Sequence, residues 1–125
     1  MPIFYEVDVE KSLVVSIVEG RLDECDLREF SHATRHDPAV IPCDRSIFDC
    51  SAMTDLSVTA SSVQRLALYE VPEREERRIA IVAPSDVSYG LARVFEGFRV
   101  ASTDMRIAAF RTRKEALEWL ELDVG

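Results

Sequence analysis

Residues 78–84, RIAIVAP, constrain the fold more than any other stretch of this chain. Their side chains are apolar on both faces of an extended segment, which is typical of a central strand in a covered sheet. A helix is predicted to open at Pro84 or Ser85. It carries an amphipathic stripe of Val87, Leu91, Val94, Phe95 and Phe98. A buried strand followed by an amphipathic helix indicates an α/β protein.

The same alternation extends over the whole chain. Strands are predicted at residues 3–9, 13–19, 45–50, 78–84 and 105–110, and the first two form a hairpin. Helices are predicted within residues 21–38, around 63–70, from 85, and after a Thr112–Glu115 capping box. The order is ββαβαβαβα. Helical crossovers make the later strands parallel, so we expect one domain over residues 1–125, with a mixed sheet of about five strands and four helices.

Length and charge exclude several functional classes. The 125 residues carry 15 Lys and Arg against 23 Asp and Glu, a net charge of −8, and this acidity disfavours nucleic-acid binding. No apolar run approaches the roughly 18 residues of a membrane span, and the acidic start does not resemble a signal peptide. We therefore expect a cytoplasmic protein without a membrane span. Three cysteines without a CxxC pair predict neither a disulfide framework nor a zinc site.

The ends of the predicted strands are the candidate ligand site. Ligands of open α/β sheets usually bind at the carboxyl ends of parallel strands. Here those ends carry Asp49, Ser85, Asp86 and Arg111. Helix N-termini begin there and favour an anion. The alternative is that Ser85 and Thr112 only cap helices and that the arginines are solvated.

Catalytic motifs are missing from the sequence. There is neither a GxSxG elbow nor a phosphate-binding glycine loop, so we expect no enzyme and no cofactor. Cys50 with His32 or His36 would form a nucleophile–base pair only if the fold brought them together. Asp49 and Asp86 are the remaining candidates for an acid–base pair.

Three segments carry a family resemblance. The stretches RIAIVAPSDVSYGLARVFEGF and IAAFRTRKEALEWL, together with SIFDCSAMTDLS, resemble the bacterial SpoIIAA-like family, whose fold is shared with STAS domains. The resemblance covers the C-terminal half well and the N-terminal half mainly in element order. It implies a STAS-like fold and, by analogy with anti-sigma-factor antagonists, a regulatory role without catalysis.

The resemblance also implies a phosphorylation switch. In such antagonists a strand ends in Asp and a D-S-S-G-like turn opens the next helix. Asp49 matches the strand-end Asp, and the turn would be residues 57–60. Ser57 replaces the acid, Thr59 the phosphate acceptor and Ala60 the glycine, so Thr59, then Ser57, is the predicted switch position.

Two functions follow as hypotheses. The first is a protein-interaction module, homodimeric or with a protein partner, that uses Tyr89, Arg93 and Phe95, residue types enriched at interfaces. The second is a carrier of a small apolar or anionic ligand. Its predicted pocket, near Ser85 and Arg111, is lined by Phe48, Met53, Phe95 and Phe110.

Overall fold

Five strands form one mixed sheet in a computed structural model that describes residues 2–69, 77–102 and 106–122. The sheet follows chain order: β1 (Ile3–Asp8), β2 (Leu13–Asp23), β3 (Arg45–Ser57), β4 (Arg78–Val82) and β5 (Arg106–Phe110). β1 and β2 are antiparallel and the remaining neighbours are parallel, as right-handed helical crossovers require. The predicted order ββαβαβαβα is confirmed. Met105, which the sequence placed in the last strand, lies outside the described residues.

Four helices connect and cover the strands: α1 (Glu24–Arg35), α2 (Ala60–Tyr69), α3 (Asp86–Ser102) and α4 (Arg113–Trp119). α4 packs on one face of the sheet, where Ala116 and Leu120 meet Ile47 and Val82. α1 and α3 pack on the opposite face with α2 between them. The sheet is therefore covered by one short helix on one side and by three helices on the other.

Side-chain caps begin the helices. The Asp23 side chain accepts a hydrogen bond from the Asp26 N–H at 2.9 Å, and the Asp26 side chain accepts one from the Asp23 N–H at 3.1 Å. These two bonds form a capping box at the start of α1. Ser85 accepts from the Ser88 N–H at 3.1 Å, and Thr112 accepts from the Glu115 N–H at 3.3 Å. These two positions were predicted as caps. The N-cap of α2 is Thr59, because the Thr59 Oγ1 accepts from the Ser62 N–H at 3.1 Å.

Strand β3 is the largest departure from the prediction. It was expected to end at residue 50, but it pairs with β2 as far as Ser57 opposite Asp23. In the sequence, residues 51–57 look like a polar connection, because only one face of this part of the strand is packed. Met53 and Leu56 on that face belong to the same apolar cluster as Leu27 and Phe30 of α1. Irregular pairing within β2–β3 also breaks the alternation that identifies a strand.

Helix α3 is rotated relative to the predicted stripe. Val87, expected in the core, is 67% exposed, whereas Ser88 and Ala92 are buried. Ala92 meets Ala83 and Ala109 on the sheet, and these small side chains let the helix approach closely. The side chain of Phe98, also in the predicted stripe, lies outside the described part of the structure.

Candidate functional site

A cavity of about 290 Å³ lies between the sheet and helices α1, α2 and α3, and it opens to solvent. Most of its lining is aliphatic or aromatic, including Leu27, Phe30, Phe48, Met53, Val63 and Phe95. Such concave, mostly apolar sites are where proteins bind small molecules. The cavity is therefore the candidate functional site.

Three strands, β2, β3 and β4, form its floor. Val14, Ser46 and Ile79 are register partners on β2, β3 and β4, so they form a row across the sheet and all three line the cavity. Phe48 and Ile81 form the next row. Period-two alternation sends Ile47 and Ala80 to the α4 face, where both are fully buried.

Helix α1 forms a wall without a buried residue of its own. Leu27 and Phe30 are half-buried and pack against the sheet cluster that contains Val18 and Cys50. Phe30 contacts the rings of Tyr5 and Phe48 edge-on, with centroids 5.9 and 5.4 Å apart. The wall is therefore held by a few aromatic contacts.

Polar groups line one end of the cavity. Arg35 is the last residue of α1, Arg77 directly precedes β4, and Ser46 is near the start of β3. The guanidinium of Arg77 donates to the carbonyls of Val40 and Cys43, each at 3.0 Å, and so is fixed against the loop after α1. This end coincides with the amino ends of the parallel strands.

Cys50 is the one thiol among the described lining residues. Burial, and to a smaller extent the neighbouring Asp49 carboxylate, raise the pKa of Cys50 to about 12. Neither His32 nor His36 lines the cavity, and their rings lie 4.4 Å apart on the exposed side of α1. The fold therefore does not assemble a Cys–His pair here.

The predicted strand-end residues lie outside this lining and are joined in pairs. Arg111 Nη1 lies 2.7 Å from Asp86 Oδ1 and also donates to the Pro84 carbonyl at 3.2 Å. The Arg111 guanidinium stacks on the Tyr89 ring at 4.2 Å. Asp49, which is mid-strand in β3, accepts from Arg113 at 3.1 Å on the α4 face.

The strand ends therefore carry carboxylate and guanidinium groups that bind each other. Asp49 faces α4, while Asp86 begins α3 on the other face, so the two acids do not meet at one point. Ser85 is occupied as the cap of α3, with its Oγ 2.7 Å from the Ser88 Oγ. A ligand or anion site at these residues stays a prediction.

The candidate switch residues are exposed at the end of β3 and the start of α2. Ser57 Oγ accepts from Arg21 Nη2 at 2.9 Å. Thr59 caps α2, and its Oγ1 lies 3.1 Å from the Ser62 Oγ. Both residues are exposed, and phosphorylation of either stays a prediction.

The three candidate interface residues do not share one surface. Tyr89 is half-buried beneath Arg111, and Phe95 lines the cavity. Arg93 is exposed and lies 3.7 Å from Glu96. Phe110, predicted in the ligand pocket, instead packs with Trp119 on the α4 face, with ring centroids 5.6 Å apart.

Sequence reasoning missed Arg35, Arg77 and Ser46. It considered only the carboxyl ends of the strands, whereas these residues lie at the amino ends. A basic residue at the end of the first predicted helix and another just before the central strand were the available signals.

Among the described residues, no group of three or more His, Cys, Asp and Glu side chains is arranged to hold a metal ion.

Comparisons with known proteins bear on the fold. No family model and no curated protein matches this chain. It is similar to the crystal structure of an uncharacterized protein of the DUF3478 family from Shewanella loihica PV-4, which has a SpoIIAA-like fold. The TM-score is 0.60 at 20% identity, over 94% of this chain and 93% of that one. The chain has a SpoIIAA-like fold.

This likeness confirms the predicted resemblance and fold class. The structural relative is itself uncharacterized, so the SpoIIAA-like fold brings no activity with it. Within the described residues, no helix is both long and apolar enough to cross a membrane. The cavity and the residues around it are therefore the features of this protein that bear on its function.

Proposed function

We propose that this SpoIIAA-like protein binds a small, largely apolar molecule between its sheet and helices α1–α3, and acts as its carrier. The observation that supports the proposal is the cavity of about 290 Å³ with its predominantly apolar lining. Protein interiors normally contain few voids larger than a water molecule. A space of this size is therefore a feature that folding alone does not require.

The hydrophobic effect favours an occupant. The cavity opens to solvent, so water contacts its apolar lining when no ligand is bound. An apolar ligand removes this lining and its own surface from water, at roughly 25 cal/mol per Å² of apolar surface.

The volume limits the size of the ligand. An engineered apolar cavity of about 150 Å³ takes up benzene. The present cavity is about twice as large, so a bicyclic aromatic or a medium-length alkyl chain fits it. Naphthalene, which has no polar group, is therefore a suitable first probe.

A matched pair of substitutions tests the proposal. Val63→Phe places a ring in the cavity, whereas Val87→Phe makes the same change at a position that is 67% exposed on α3. Titration with naphthalene, followed by amide NMR shifts, should show binding to the parent protein and to Val87→Phe, and at least a tenfold loss for Val63→Phe. Circular dichroism checks that both variants are folded. Equal binding by the two variants, or no binding to the parent protein, would contradict the proposal.

A regulatory role is a second proposal, supported by the exposure of Ser57, at the end of β3, and of Thr59, which caps α2. A phosphate on Ser57 would lie beside the Arg21 guanidinium, which already contacts the Ser57 hydroxyl, and would change the charge of a docking surface. In this proposal the protein is a cytoplasmic homodimer, or binds a protein partner.

Light scattering tests the regulatory proposal. We expect the parent protein to be a dimer at micromolar concentration. Ser57→Glu or Thr59→Glu should change the number of subunits. Thr54→Glu, at another exposed position of β3, should leave that number unchanged. A monomer unaffected by all three substitutions would contradict a switch that acts through dimerisation.

A further inference from the structure

A buried serine in the middle of the sheet lacks a hydrogen-bonding partner. Ser16, on β2, is fully buried, and its Oγ makes no hydrogen bond within the described part of the chain. Buried polar side chains are nearly always hydrogen-bonded, because a donor or acceptor that leaves water without a new partner lowers stability. The Ser16 hydroxyl is therefore a feature that packing of the core does not explain.

Ser16 lies on the face of the sheet that carries the cavity. Side chains alternate along a strand, and Val14, two residues before Ser16, lines the cavity. Phe48, the register partner of Ser16 on β3, lines it as well. Ser16 itself does not belong to the lining, so another side chain separates its hydroxyl from the cavity.

The side chain that covers Ser16 is Phe30 of α1. Tyr5 and Phe48 are the register partners of Ser16 on the two neighbouring strands. The Phe30 ring contacts both of these rings edge-on, so it lies over the serine between them. Because Phe30 also lines the cavity, it stands between the cavity and the Ser16 hydroxyl.

Phe30 is a cover that can move. It is only half-buried, and the helix that carries it, α1, has no buried residue. Rotamer changes of side chains that are not fully packed are fast compared with the exchange of ligands. Rotation of this one ring opens a path from the cavity to the Ser16 hydroxyl.

We propose that the ligand is a neutral, largely apolar molecule with one hydroxyl or carbonyl group, which hydrogen-bonds to Ser16 when the Phe30 ring turns aside. This inference rests on the proposed function, because it assigns the chemical class and the anchoring group of the molecule that occupies the same cavity. The bond supplies the missing partner of Ser16 and replaces a hydrogen bond that the ligand makes to water.

The surroundings of Ser16 favour a neutral group over an anion. Val14 and Val18 flank Ser16 on its face of β2, and both are buried. A carboxylate placed there would lose the hydration of a full charge and gain one hydrogen bond, which does not compensate. The Tyr5 hydroxyl already donates to the Asp37 carboxylate, whose negative charge disfavours a second anion beside it.

Three ligands that share one ring system test the assignment. Naphthalene has no polar group, 2-naphthol adds a hydroxyl that is uncharged at pH 7, and 2-naphthoate adds a carboxylate. Titration followed by amide NMR shifts should give 2-naphthol an affinity about fivefold or more above that of naphthalene, and 2-naphthoate a lower affinity than 2-naphthol. The amide signal of Ser16 should shift when 2-naphthol binds.

Two buried serines form a matched pair of variants. Ser16→Ala should remove the preference for 2-naphthol over naphthalene and leave naphthalene binding unchanged. Ser88 is also buried and lines the cavity, but its hydroxyl is bonded to Ser85. Ser88→Ala should therefore keep the preference. Circular dichroism checks that both variants are folded.

Stability in the absence of ligand is an independent readout. Ser16→Ala removes an unpaired hydroxyl, so the urea midpoint should be unchanged or higher than that of the parent protein. A lower midpoint would show that the hydroxyl is already hydrogen-bonded in the free protein, and would overturn the assignment of Ser16.

The binding outcomes separate the two proposals. Four results would overturn the assignment and leave the apolar cavity function intact: equal affinities for naphthalene and 2-naphthol, a preference that survives Ser16→Ala or is abolished by Ser88→Ala, tighter binding of 2-naphthoate, and 2-naphthol binding that does not shift the Ser16 amide signal. If none of the three ligands binds, the proposed function fails as well.

Discussion

Arg113 and Asp49 form an ion pair that ties the first residue of α4 to the middle of β3, with Arg113 Nη1 3.1 Å from Asp49 Oδ2. The side chain of Asp49 is 9% exposed, and its other oxygen accepts from the Ser51 N–H at 2.9 Å. This carboxylate thus joins the sheet to the single helix that covers its second face. Removing Arg113 would leave a buried charge with one remaining hydrogen bond.

The first prediction concerns this pair. Arg113→Ala should lower the free energy of unfolding by about 1–2 kcal/mol, in the range for hydrogen bonds to charged groups. The loss is smaller than for a fully buried pair because the Arg113 side chain is 47% exposed and partly screened. Urea unfolding at pH 7 measures it. Arg93→Ala removes a more exposed pair with Glu96 and should cost less, so an equal loss in both variants would contradict the argument.

A second prediction follows from the hydrogen bond between Tyr5 and Asp37, in which the Tyr5 hydroxyl donates to Asp37 Oδ2 at 2.7 Å. This bond is the main cause that raises the pKa of Tyr5 and lowers the pKa of Asp37. A lowered Asp pKa stabilises the fold above the unfolded value of about 4, and this stability is lost as the pH falls. A raised Tyr pKa stabilises the fold below about 10, and this stability is lost as the pH rises through the folded pKa.

Tyr5→Phe should therefore lower the urea midpoint at pH 7, and the difference from the parent protein should shrink at pH 3. Absorbance titration of the phenols at alkaline pH provides a second readout, because the variant should lack a phenol that titrates above the ordinary range. Since Tyr5→Phe keeps the ring that contacts Phe30, a difference in midpoint that is constant from pH 3 to pH 7 would show that the bond to the Asp37 carboxylate does not account for the effect.

The fold was largely predictable because its strongest signals are local. A strand can be identified at residues 78–84 from the apolar side chains on both of its faces, without knowledge of the strands that it pairs with. The starts of two helices can be identified in the same way from the caps Ser85 and Thr112. The extension of β3 was not predictable in the same way, because Thr54 and Asp55 are exposed and only the pairing with β2 makes them a strand.

The candidate site was predictable only in part. Phe48, Met53 and Phe95 do line the cavity, because large apolar side chains on a sheet face and on a packed helix point into the same layer. Phe110 alternates to the other face of β5 and contacts Trp119. Arg35 and Arg77 are brought to the same end of the cavity by the direction of α1 relative to the strands, which is a property of the assembled fold.

A third prediction concerns Thr59 as the N-cap of α2. Thr59→Ala should lower the free energy of unfolding by about 1 kcal/mol, since it removes the oxygen that accepts from the Ser62 N–H. Thr59→Ser should retain most of the stability. Ser61→Ala serves as the control, because Ser61 lies within the helix and alanine has the higher helix propensity. A larger loss of unfolding free energy for Ser61→Ala than for Thr59→Ala, measured by urea unfolding, would contradict the assignment of Thr59 as the cap.

The last prediction uses the thiols to report on the cavity. None of the three cysteines forms a disulfide; Cys25 is exposed, whereas Cys43 and Cys50 are buried. With a pKa of about 12, only roughly one Cys50 in ten thousand is a thiolate at pH 8, and the thiolate is the reactive form. The Glu29 carboxylate raises the pKa of Cys25 as well, so its reaction should accelerate as the pH rises beyond 8.

An aromatic disulfide reagent at pH 8 should therefore modify one thiol in the native protein and all three in urea, and peptide mass spectrometry should assign the native adduct to Cys25. Cys25→Ser should abolish the fast reaction of the native protein and leave only a slow modification of Cys50. In that variant the slow modification of Cys50 should become slower still when naphthalene fills the cavity, because Cys50 lines it. Labelling of Cys50 at the rate of Cys25, or a Cys50 rate that naphthalene does not change, would show that the thiol is not enclosed with the ligand.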